Sequence, residues 1–474
     1  MFDWLFREKT QGPSGQEAED STYSESRHDR DLTKGSIIGN LWSLAWPMMI
    51  IDVISMLGPI IDMIWVGRLG STSVAGVGVA GIMVGLIASG MMGLSMGLRA
   101  MVARSVGAND YEEANHIARQ SLVLSASFSV IMAIVGIFFT KQLMSILGVE
   151  AGVISEGASY MRVQFIGMAA ISFLLVAEGI MMASGDAVTP MRIVILTEIF
   201  HVILCPFFVF GWWIFPRMGV SGAALTSVFS LSLGTIISFW ILFTGRTRIK
   251  LTMKNFRIDG GVIWRMIKIG IPASINGMQR SFVNVVMMYF IVPFGTLAVA
   301  AHTVGQRVEM VILMVSFGFG QAAGVLAGQN LGAKQPERAE KTGWLASGLV
   351  TGLMMISAII SLIWAENIVR IFNAEPGLVE IASTFLRIAA VGYLVLGVAA
   401  VLTDCLNGVG DTMVPMLASL ITMWSTQVPM AYFLPKYTGI GVYGVRWAMV
   451  TALAMRAITY IIYFKLGRWK RKEV

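Results

Sequence analysis

The hydrophobic positions along this chain form long continuous runs, which short polar or basic stretches separate. Twelve runs are long enough to cross the hydrocarbon core of a membrane as helices, since about 20 helical residues span about 30 Å. A transmembrane β-barrel would instead alternate apolar and polar residues at every second position. The pattern therefore predicts an all-α integral membrane protein, and we expect no enzymatic activity.

The expected spans divide into two groups of six, with a polar tail before them and a basic stretch between them. In the first group they cover 41–67, 74–102, 117–140, 158–183, 188–211 and 220–244. In the second group they cover 262–292, 298–328, 343–365, 379–407, 413–434 and 440–465. The predicted organisation is a disordered cytoplasmic tail (1–40), a first lobe (41–245), a basic linker (246–261), a second lobe (262–465) and a basic tail (466–474).

An internal repeat accounts for the two groups of spans. The stretch VGANDYEEA, which begins at Val106, returns as LGAKQPERA at Leu331, 225 residues later. The same offset relates isolated prolines and glycines along the chain: Pro47 to Pro272, Gly70 to Gly295, Gly93 to Gly318, Gly185 to Gly410 and Pro190 to Pro415. One fixed offset over such a distance indicates two copies of one unit. Because each copy holds an even number of spans, both enter the membrane from the same side, and the repeats are parallel.

The charged residues predict the orientation of the chain in the membrane. Only 13% of the residues are charged, whereas soluble proteins contain about 25%. The net charge is +7, and the basic residues lie at segment ends and in loops, above all in the linker, with Arg246, Arg248, Lys250, Lys254 and Arg257. By the positive-inside rule, both termini and the linker face the cytoplasm, and the expected location is the inner cell membrane. We expect no nucleic-acid partner, because the basic residues follow the pattern that orients membrane spans.

The repeat motif resembles that of the multidrug and toxic compound extrusion (MATE) family, in which a similar cytoplasmic motif follows the second helix of each half. The stretches LAWPMMI and IDMIWVGRLG look like the family's first helix, and VAAHTVGQRVE with FGFGQAAGVLAGQNLGA looks like its eighth. GDAVTPM and GDTMVPM look like its fourth-to-fifth and tenth-to-eleventh turns. The resemblance covers about residues 40–465 and favours the bacterial and archaeal branch. It implies a twelve-helix exporter of amphipathic, often cationic compounds, driven by inward flow of Na⁺ or H⁺.

The resemblance also implies a cation-coupling site in the first half. Asp62 stands fifteen residues after Pro47, which is the spacing of the family's coupling aspartate in helix 1. In helix 5 the family carries an asparagine and, four residues later, an aspartate before a proline, and these positions are His201 and Cys205 here. Thr226 is the expected hydroxyl from helix 6. The alternative for Asp62 is a structural ion pair or a hydrogen-bonded cap.

The imidazole and thiol at this site bear on the identity of the coupling ion. Na⁺ prefers several oxygen ligands, whereas imidazole titrates near physiological pH. One interpretation is a proton site formed by His201 and Asp62, with Glu198, one turn earlier, supplying further negative charge. The other is that this site has lost its function and that coupling uses acids elsewhere, such as Asp52 or Asp404.

Further polar and ionisable residues within the expected spans are candidates for a substrate cavity, namely Asp52, Glu178, Gln279, Arg280, Glu309 and Asp404. Acids outnumber arginines among the charges in the spans, which favours cationic substrates. The alternatives are an ion pair for Asp52, solvated helix ends for Glu178 and Asp404, and a structural network between helices 7 and 8 for the others. Pro47 and Pro59 are expected helix hinges, because proline removes a backbone donor.

The energy source is expected to be an ion gradient, because the chain has no phosphate-binding sequence of the form G-x-x-x-x-G-K-[ST]. The leading prediction is an alternating-access antiporter that exports amphipathic organic cations in exchange for H⁺ or Na⁺, needs no cofactor, and works as a monomer in the lipid bilayer. An alternative of the same broad superfamily is a flippase for lipid-linked saccharides, which would need a strongly cationic cavity. A receptor or a channel is a further alternative, which the full-length repeat disfavours.

Overall fold

The computed structural model describes residues 31–146, 148–254 and 256–472, which form sixteen α-helices and no β-strand. The first half of the chain contains α1 (Ile37–Ser55), α2 (Leu57–Gly67), α3 (Ser71–Gly107), α4 (Tyr111–Phe138), α5 (Thr140–Ile146), α6 (Ala151–Ile166), α7 (Met168–Ser184), α8 (Val188–Phe210) and α9 (Val220–Thr244). The second half contains α10 (Gly260–Ile291), α11 (Thr296–Gly332), α12 (Pro336–Phe372), α13 (Pro376–Gly408), α14 (Met413–Thr422), α15 (Val428–Tyr437) and α16 (Tyr443–Leu466).

Most of these helices are long and apolar enough to cross a membrane. Among the described residues nine helical segments qualify, with α1 and α2 taken together, and the bent pair α6–α7 makes ten. The other long segments are α10 and the pair α14–α15, which a π-helical turn at Met423–Gln427 joins. The all-α membrane fold is therefore confirmed, while the number of twelve membrane spans stays a prediction.

The first span is interrupted at Met56, between α1 and α2. Pro59 has no N–H to donate to the carbonyl of Ser55, four residues earlier, and its ring crowds that carbonyl. This explains why α1 ends at Ser55, next to the expected hinge at Pro59. Pro47, the other expected hinge, lies inside α1, and the helix continues past it without a break.

The internal repeat is visible in the backbone. Among the described non-glycine residues, positive φ angles occur at Asn109 (59°), Trp213 (63°) and Lys334 (57°), and Asn109 and Lys334 are related by the 225-residue offset. Both lie in the turn of the repeat motif, one before α4 and the other before α12. The glycine pair Gly70 and Gly295, which precedes α3 and α11, also shares positive φ angles, of 127° and 93°. The two copies thus have the same turns as well as similar helices.

The two halves contact each other symmetrically through α3 and α11. A methyl group added at Gly107 would overlap the backbone carbonyl of Gln329, and one added at Gly332 would overlap that of Arg104. Gln329 and Gly332 stand 225 residues after Arg104 and Gly107, so each half makes the same contact on the other. This reciprocity is what two parallel repeats related by a pseudo-two-fold axis require.

The start of the described chain packs against the repeat motif of the second half. Leu32 is 1% exposed, its carbonyl accepts from the Asn40 amide at 3.1 Å, and Arg338 donates to the Lys34 carbonyl at 3.0 Å. Residues 1–30 of the expected disordered tail lie outside the described residues. Residues 31–40 are packed, and α1 begins at Ile37, four residues before the expected start of the span at 41.

The linker and the C-terminal tail lie at this same end of the bundle. Arg104, beside the first repeat motif, donates to the Lys472 carbonyl at 2.5 Å. The linker contacts the beginning of α4, where the Asn115 amide donates to the Thr252 hydroxyl at 2.7 Å. The described chain ends and the linker therefore share one end of the molecule, which the basic residues predict to be the cytoplasmic end.

The linker ends in an N-cap for α10. The Asp259 carboxylate accepts from the amides of Gly261 and Val262 at 2.8 Å and 3.2 Å, and it lies 3.2 Å from His116 Nε2 on α4. The hydrogen bond from the Val262 amide and, to a smaller extent, the contact with His116 hold the pKa of the Asp259 carboxyl below its usual value. This cap fixes where the second half begins.

Candidate functional site

Four helices of the first half converge on one buried carboxylate. Asp62 lies on α2, Tyr160 on α6, His201 and Cys205 on α8, and Ser227 on α9. We call these five residues the Asp62 cluster. Asp62 and His201 are only 3% and 4% exposed, so their polar atoms depend on one another for hydrogen bonds.

Both oxygens of Asp62 are engaged. Oδ1 lies 3.0 Å from His201 Nε2 and accepts from the Cys205 thiol at 3.6 Å. Oδ2 accepts from the hydroxyls of Tyr160 and Ser227 at 3.2 Å and 3.3 Å. Burial of a carboxylate is costly unless hydrogen bonds replace the lost water. Groups from three other helices supply those bonds here, which holds α2 in place.

The hydroxyl that α9 contributes comes from Ser227, so the expectation of Thr226 is wrong. The Thr226 hydroxyl donates to the Gly222 carbonyl of its own helix at 2.8 Å. Consecutive helical residues point about 100° apart, because a turn takes about 3.6 residues. Only one of the two hydroxyls can therefore face α2, and Ser227 Oγ also lies 3.4 Å from His201 Nε2.

Glu198 lies on the opposite side of the His201 ring. Its Oε2 atom is 3.6 Å from His201 Nδ1. Gly58 makes the room for this pair, because a methyl group there would come within 3.2 Å of His201 Nδ1 and 3.3 Å of Glu198 Oε1. The fold thus brings Asp62, Glu198, His201 and Cys205 together, as the sequence predicts.

The cluster has the geometry to bind a small cation or a proton. The ligand atoms of Asp62, His201 and Cys205 lie within 4.8 Å of one another, so one ion could contact all three. Imidazole and thiol are poor ligands for Na⁺, which prefers oxygen. The 3.0 Å contact of Asp62 with His201 is that of a hydrogen-bonded acid–base pair, and such a pair can accept and release a proton.

A second set of charges lies where the halves meet. Arg99 on α3 donates to Gln321 Oε1 on α11 at 3.0 Å, and Gln321 Nε2 donates to Asp52 Oδ2 on α1 at 3.2 Å. Asp404 on α13 and Glu178 on α7 also interact electrostatically with the Arg99 guanidinium. We call these five residues the Arg99 cluster. Asp404 lines a small gap together with Arg99 and Gln321, and Glu178 is half-buried, so the alternative of solvated helix ends for Glu178 and Asp404 is wrong.

Sequence reasoning missed Arg99 and Gln321. Arg99 lies near the end of the expected span 74–102, where a basic side chain ordinarily extends to the membrane surface. In the structure it turns inward, and Gly179 leaves room for it, because a methyl group there would lie 3.3 Å from Arg99 Cγ. The available signal was that Arg99 is the first charged residue of α3, whose other charged residue, Arg104, lies in the last turn.

The second half encloses a cavity of about 320 Å³ between α10, α11, α13 and α16. Its charged lining residues are Arg280, Glu309, Asp404, Arg446 and Arg456. Three of the predicted cavity residues, Arg280, Glu309 and Asp404, are among them. Guanidinium groups outnumber carboxylates in this lining, so the excess of acids predicted for the spans does not extend to this cavity.

Gln279, also predicted for the cavity, has a structural role instead. Its Oε1 accepts from the Ser419 hydroxyl at 2.8 Å, and its Nε2 donates to Met423 Sδ at 3.7 Å. These contacts tie α10 to α14 and the π-helical turn, so Gln279 faces away from the cavity that Arg280 lines. The cavity role predicted for Gln279 is therefore wrong.

An ion pair that the sequence did not predict fixes one wall of the cavity. Arg446 on α16 donates to Glu309 Oε1 on α11 at 2.6 Å, and Arg446 is 2% exposed. Gly305, one turn before Glu309, makes room for it, since a methyl group there would lie 2.6 Å from Arg446 Nη2. Glu309 is thus occupied by a protein partner.

Known proteins share both the sequence pattern and the fold. A family model, MatE, matches residues 47–207 and 272–433, one match in each half. The chain is similar to the probable multidrug resistance protein YoeA of Bacillus subtilis, with 25% identity over 90% of this chain and 93% of that protein. It is similar to the probable multidrug resistance protein NorM of Thermotoga maritima, with 25% identity over 92% of this chain and 93% of that protein. The fold matches a MOP superfamily transporter from Pyrococcus furiosus with a TM-score of 0.85 and 24% identity, over 93% of this chain and 98% of that one.

Proposed function

The chain belongs to the MatE family of membrane transporters, and from this premise we propose that it exports amphipathic organic cations in exchange for protons. The names of the relatives, multidrug resistance proteins, support a role in drug efflux. The absence of a P-loop sequence from the chain supports an ion gradient as the energy source. A pH difference of one unit is worth about 1.4 kcal/mol per proton, which sustains roughly a tenfold gradient of a monovalent cation, because a one-for-one exchange moves no net charge.

The observation that carries the proton assignment is the position of His201 between two carboxylates. Nε2 faces Asp62 at 3.0 Å and Nδ1 faces Glu198 at 3.6 Å. The first contact is a hydrogen bond, whereas the second, at 3.6 Å, is electrostatic only. A protonated imidazole gains from both carboxylates, so this arrangement suits a bound proton. The oxygens of Asp62 already accept hydrogen bonds from N–H, O–H and S–H donors. Their lone pairs are therefore engaged and not free to coordinate Na⁺.

The first span connects the Asp62 cluster with the interface between the halves, so a movement that follows protonation can be transmitted along it. Asp62 lies on α2 and Asp52 on α1, and the break at Met56 separates them. Release of the proton from His201 leaves the imidazole neutral, which weakens its attraction to Asp62 and so the contact of α2 with α8. The break lets α2 move relative to α1, whose Asp52 contacts Gln321 of the second half at 3.2 Å.

The cationic part of the substrate is assigned to the Arg99 cluster. Three carboxylates, those of Asp52, Glu178 and Asp404, interact electrostatically with a single guanidinium there, and no ion pair among the described residues joins any of them to it. An excess of buried negative charge favours a cationic ligand, because an unpaired buried charge is costly. The cluster includes groups from both halves, so a bound cation would be sensitive to their relative position.

The decisive experiment separates the two ions in proteoliposomes that contain the purified protein. Ethidium transport is measured with an imposed pH gradient alone and with an imposed Na⁺ gradient alone. We expect the pH gradient to drive transport and His201→Gln to abolish that response. His116→Gln is the matched control, because His116 lies on α4 beside Asp259 and outside the Asp62 cluster. Transport that requires Na⁺, ignores pH and is unchanged in His201→Gln would refute the proton assignment.

A flippase for lipid-linked saccharides is the second candidate, and the arginines of the cavity favour it. Arg280, Arg446 and Arg456 all line the cavity, and guanidinium groups are suited to binding phosphate. Arg446 is already paired with Glu309 at 2.6 Å, which leaves two arginines for a ligand. The same liposomes, loaded with a fluorescent lipid-linked saccharide in place of ethidium, decide between the two functions.

A further inference from the structure

Two arginines of the second-half cavity lack a hydrogen-bonded carboxylate. Within the described part of the chain, no ion pair is formed by Arg280 on α10 or Arg456 on α16. Arg456 Nε is buried without a hydrogen-bond partner, and the Arg280 guanidinium lies over the Phe317 ring at 5.6 Å. Arg280 and Arg456 are close enough to interact electrostatically with each other.

The carboxylates that line the cavity already interact with arginines. Glu309 is bonded to Arg446 at 2.6 Å. Asp404 interacts with both Arg280 and Arg99, so its single charge is divided between the cavity and the Arg99 cluster. The lining therefore carries an excess of positive charge around Arg280 and Arg456.

An uncompensated pair of guanidinium groups requires an explanation. Arginine stays protonated in proteins, so neither side chain can become neutral within the spans, where Arg456 is half-buried and Arg280 is exposed to the space that the cavity opens into. Charged residues inside membrane proteins are costly and normally serve ligands or form pairs. The other lining groups are largely apolar, including Leu313, Leu396 and Leu453. An anionic group that enters the cavity would gain two charge-assisted partners.

We propose that Arg280 and Arg456 bind the carboxylate of zwitterionic amphipathic substrates, whose cationic group pairs with the acids of the Arg99 cluster. Asp404 lies at the junction, because it lines the cavity and also belongs to the Arg99 cluster. The site thus has an anionic part between the halves and a cationic part within the second half. This inference rests on the proposed export function and extends its substrates to zwitterions that carry a cationic group.

A matched pair of dyes tests the inference. Rhodamine B is a zwitterion with one carboxylate, and its ethyl ester is a cation with the same ring system. Transport of each dye into proteoliposomes is measured as an initial rate over a range of concentrations, under the ion gradient that drives ethidium. We expect Arg280→Gln and Arg456→Gln to raise the KM for rhodamine B by about 10- to 100-fold, as for the loss of a charge-assisted hydrogen bond. The KM for the ester should stay within about twofold of the wild-type value, which also shows that the variants are folded.

Two further variants complete the design. Arg280→Lys keeps the charge but loses the planar fork that binds a carboxylate with two bonds, so its KM for rhodamine B should be intermediate. Arg387→Gln is the matched control, because Arg387 forms an exposed ion pair with Glu366 at 3.1 Å, away from the cavity. It should leave both dyes unaffected.

The possible outcomes separate this inference from the proposed function. If the wild type transports neither rhodamine dye nor ethidium, the export function itself fails. If it transports the ester but not rhodamine B, the anionic subsite is overturned and export stands. The subsite is also overturned if both glutamine variants change the two dyes equally, or change neither.

Discussion

In the first half of the chain, Asp62 and His201 are buried and hydrogen-bonded to each other, whereas the residues 225 positions later are Met287 and Thr426. Met287 is also fully buried, so the position lies in the core of both halves but carries a charge only in the first. The polar residues of the second half stand elsewhere, with Glu309 and Arg446 around a cavity. Duplication has preserved the helices while the charged sites of the two halves have diverged.

The difference has a physical basis in what holds the halves together. The reciprocal contacts at Gly107 and Gly332 involve the backbones of both copies, so neither copy can change there without disturbing the other. The Asp62 cluster involves only helices of the first half and faces no such constraint. In the proposed mechanism, the first half therefore holds the ion and the second half holds part of the substrate.

The largest expected effect follows from removal of the first-half carboxylate. Asp62→Asn keeps the size of the side chain but removes the carboxylate that holds the proton on His201, so the ethidium gradient that an imposed pH gradient sustains, about tenfold per pH unit for one proton, should collapse. The measurement is steady-state accumulation of ethidium in proteoliposomes. Met287→Leu, at the corresponding buried position of the second half, should keep nearly the whole gradient, because a swap of similar volume is tolerated.

A different pair of results would contradict the assignment of the coupling site to the first half. Full accumulation in Asp62→Asn, with a loss in Met287→Leu, would show that the second half holds the coupling site. Both variants should still show a cooperative thermal transition, with a lower midpoint for Asp62→Asn, which separates loss of coupling from loss of fold.

The second prediction concerns the symmetric contact between α3 and α11. Gly107→Ala and Gly332→Ala each place a methyl group on a backbone carbonyl of the other half, and overpacking of this kind costs about 1–3 kcal/mol. Because the contacts are reciprocal, we expect similar drops in the melting temperature for the two variants. Gly352→Ala on α12 is the control, since nothing lies within 4 Å of the added methyl group, and it should be neutral or stabilising. A strong effect in only one variant would contradict the pseudo-two-fold arrangement.

The sequence predicted the helices and the repeat well, because hydrophobic length and a fixed offset are properties of the chain itself. It also predicted the contact of His201 with Asp62, which depends on two residues at a similar depth. It was wrong about Thr226 and Gln279, since a shift of one residue turns a side chain about 100° around a helix. Pairing across helices, as in Arg446 with Glu309, depends on packing that a single sequence does not reveal.

The third prediction sharpens the assignment within α9. Ser227→Ala removes a donor to Asp62, and a hydrogen bond to a charged group contributes about 1.5–3 kcal/mol, so pH-driven export should fall about tenfold or more. Thr226→Val removes a hydroxyl that is bonded only within its own helix and should change export by less than about twofold. Initial rates of ethidium transport at several pH values provide the comparison. The reverse order would restore Thr226 as the residue that faces Asp62.

The smallest expected effect concerns the turns of the repeat motif, where the two halves have the same backbone but different residues. Asn109 and Lys334 have φ angles of 59° and 57°, and asparagine tolerates this left-handed region better than lysine does. Lys334→Asn should therefore stabilise the protein, and Asn109→Lys should destabilise it, each by roughly 0.5–1 kcal/mol. The measurement is the melting temperature of each variant and of the double variant, which exchanges the two residue types between the halves. Because the turns are equivalent, the double variant should melt near the wild type. If the two single changes instead shift the melting temperature in the same direction, charge rather than backbone conformation governs these turns.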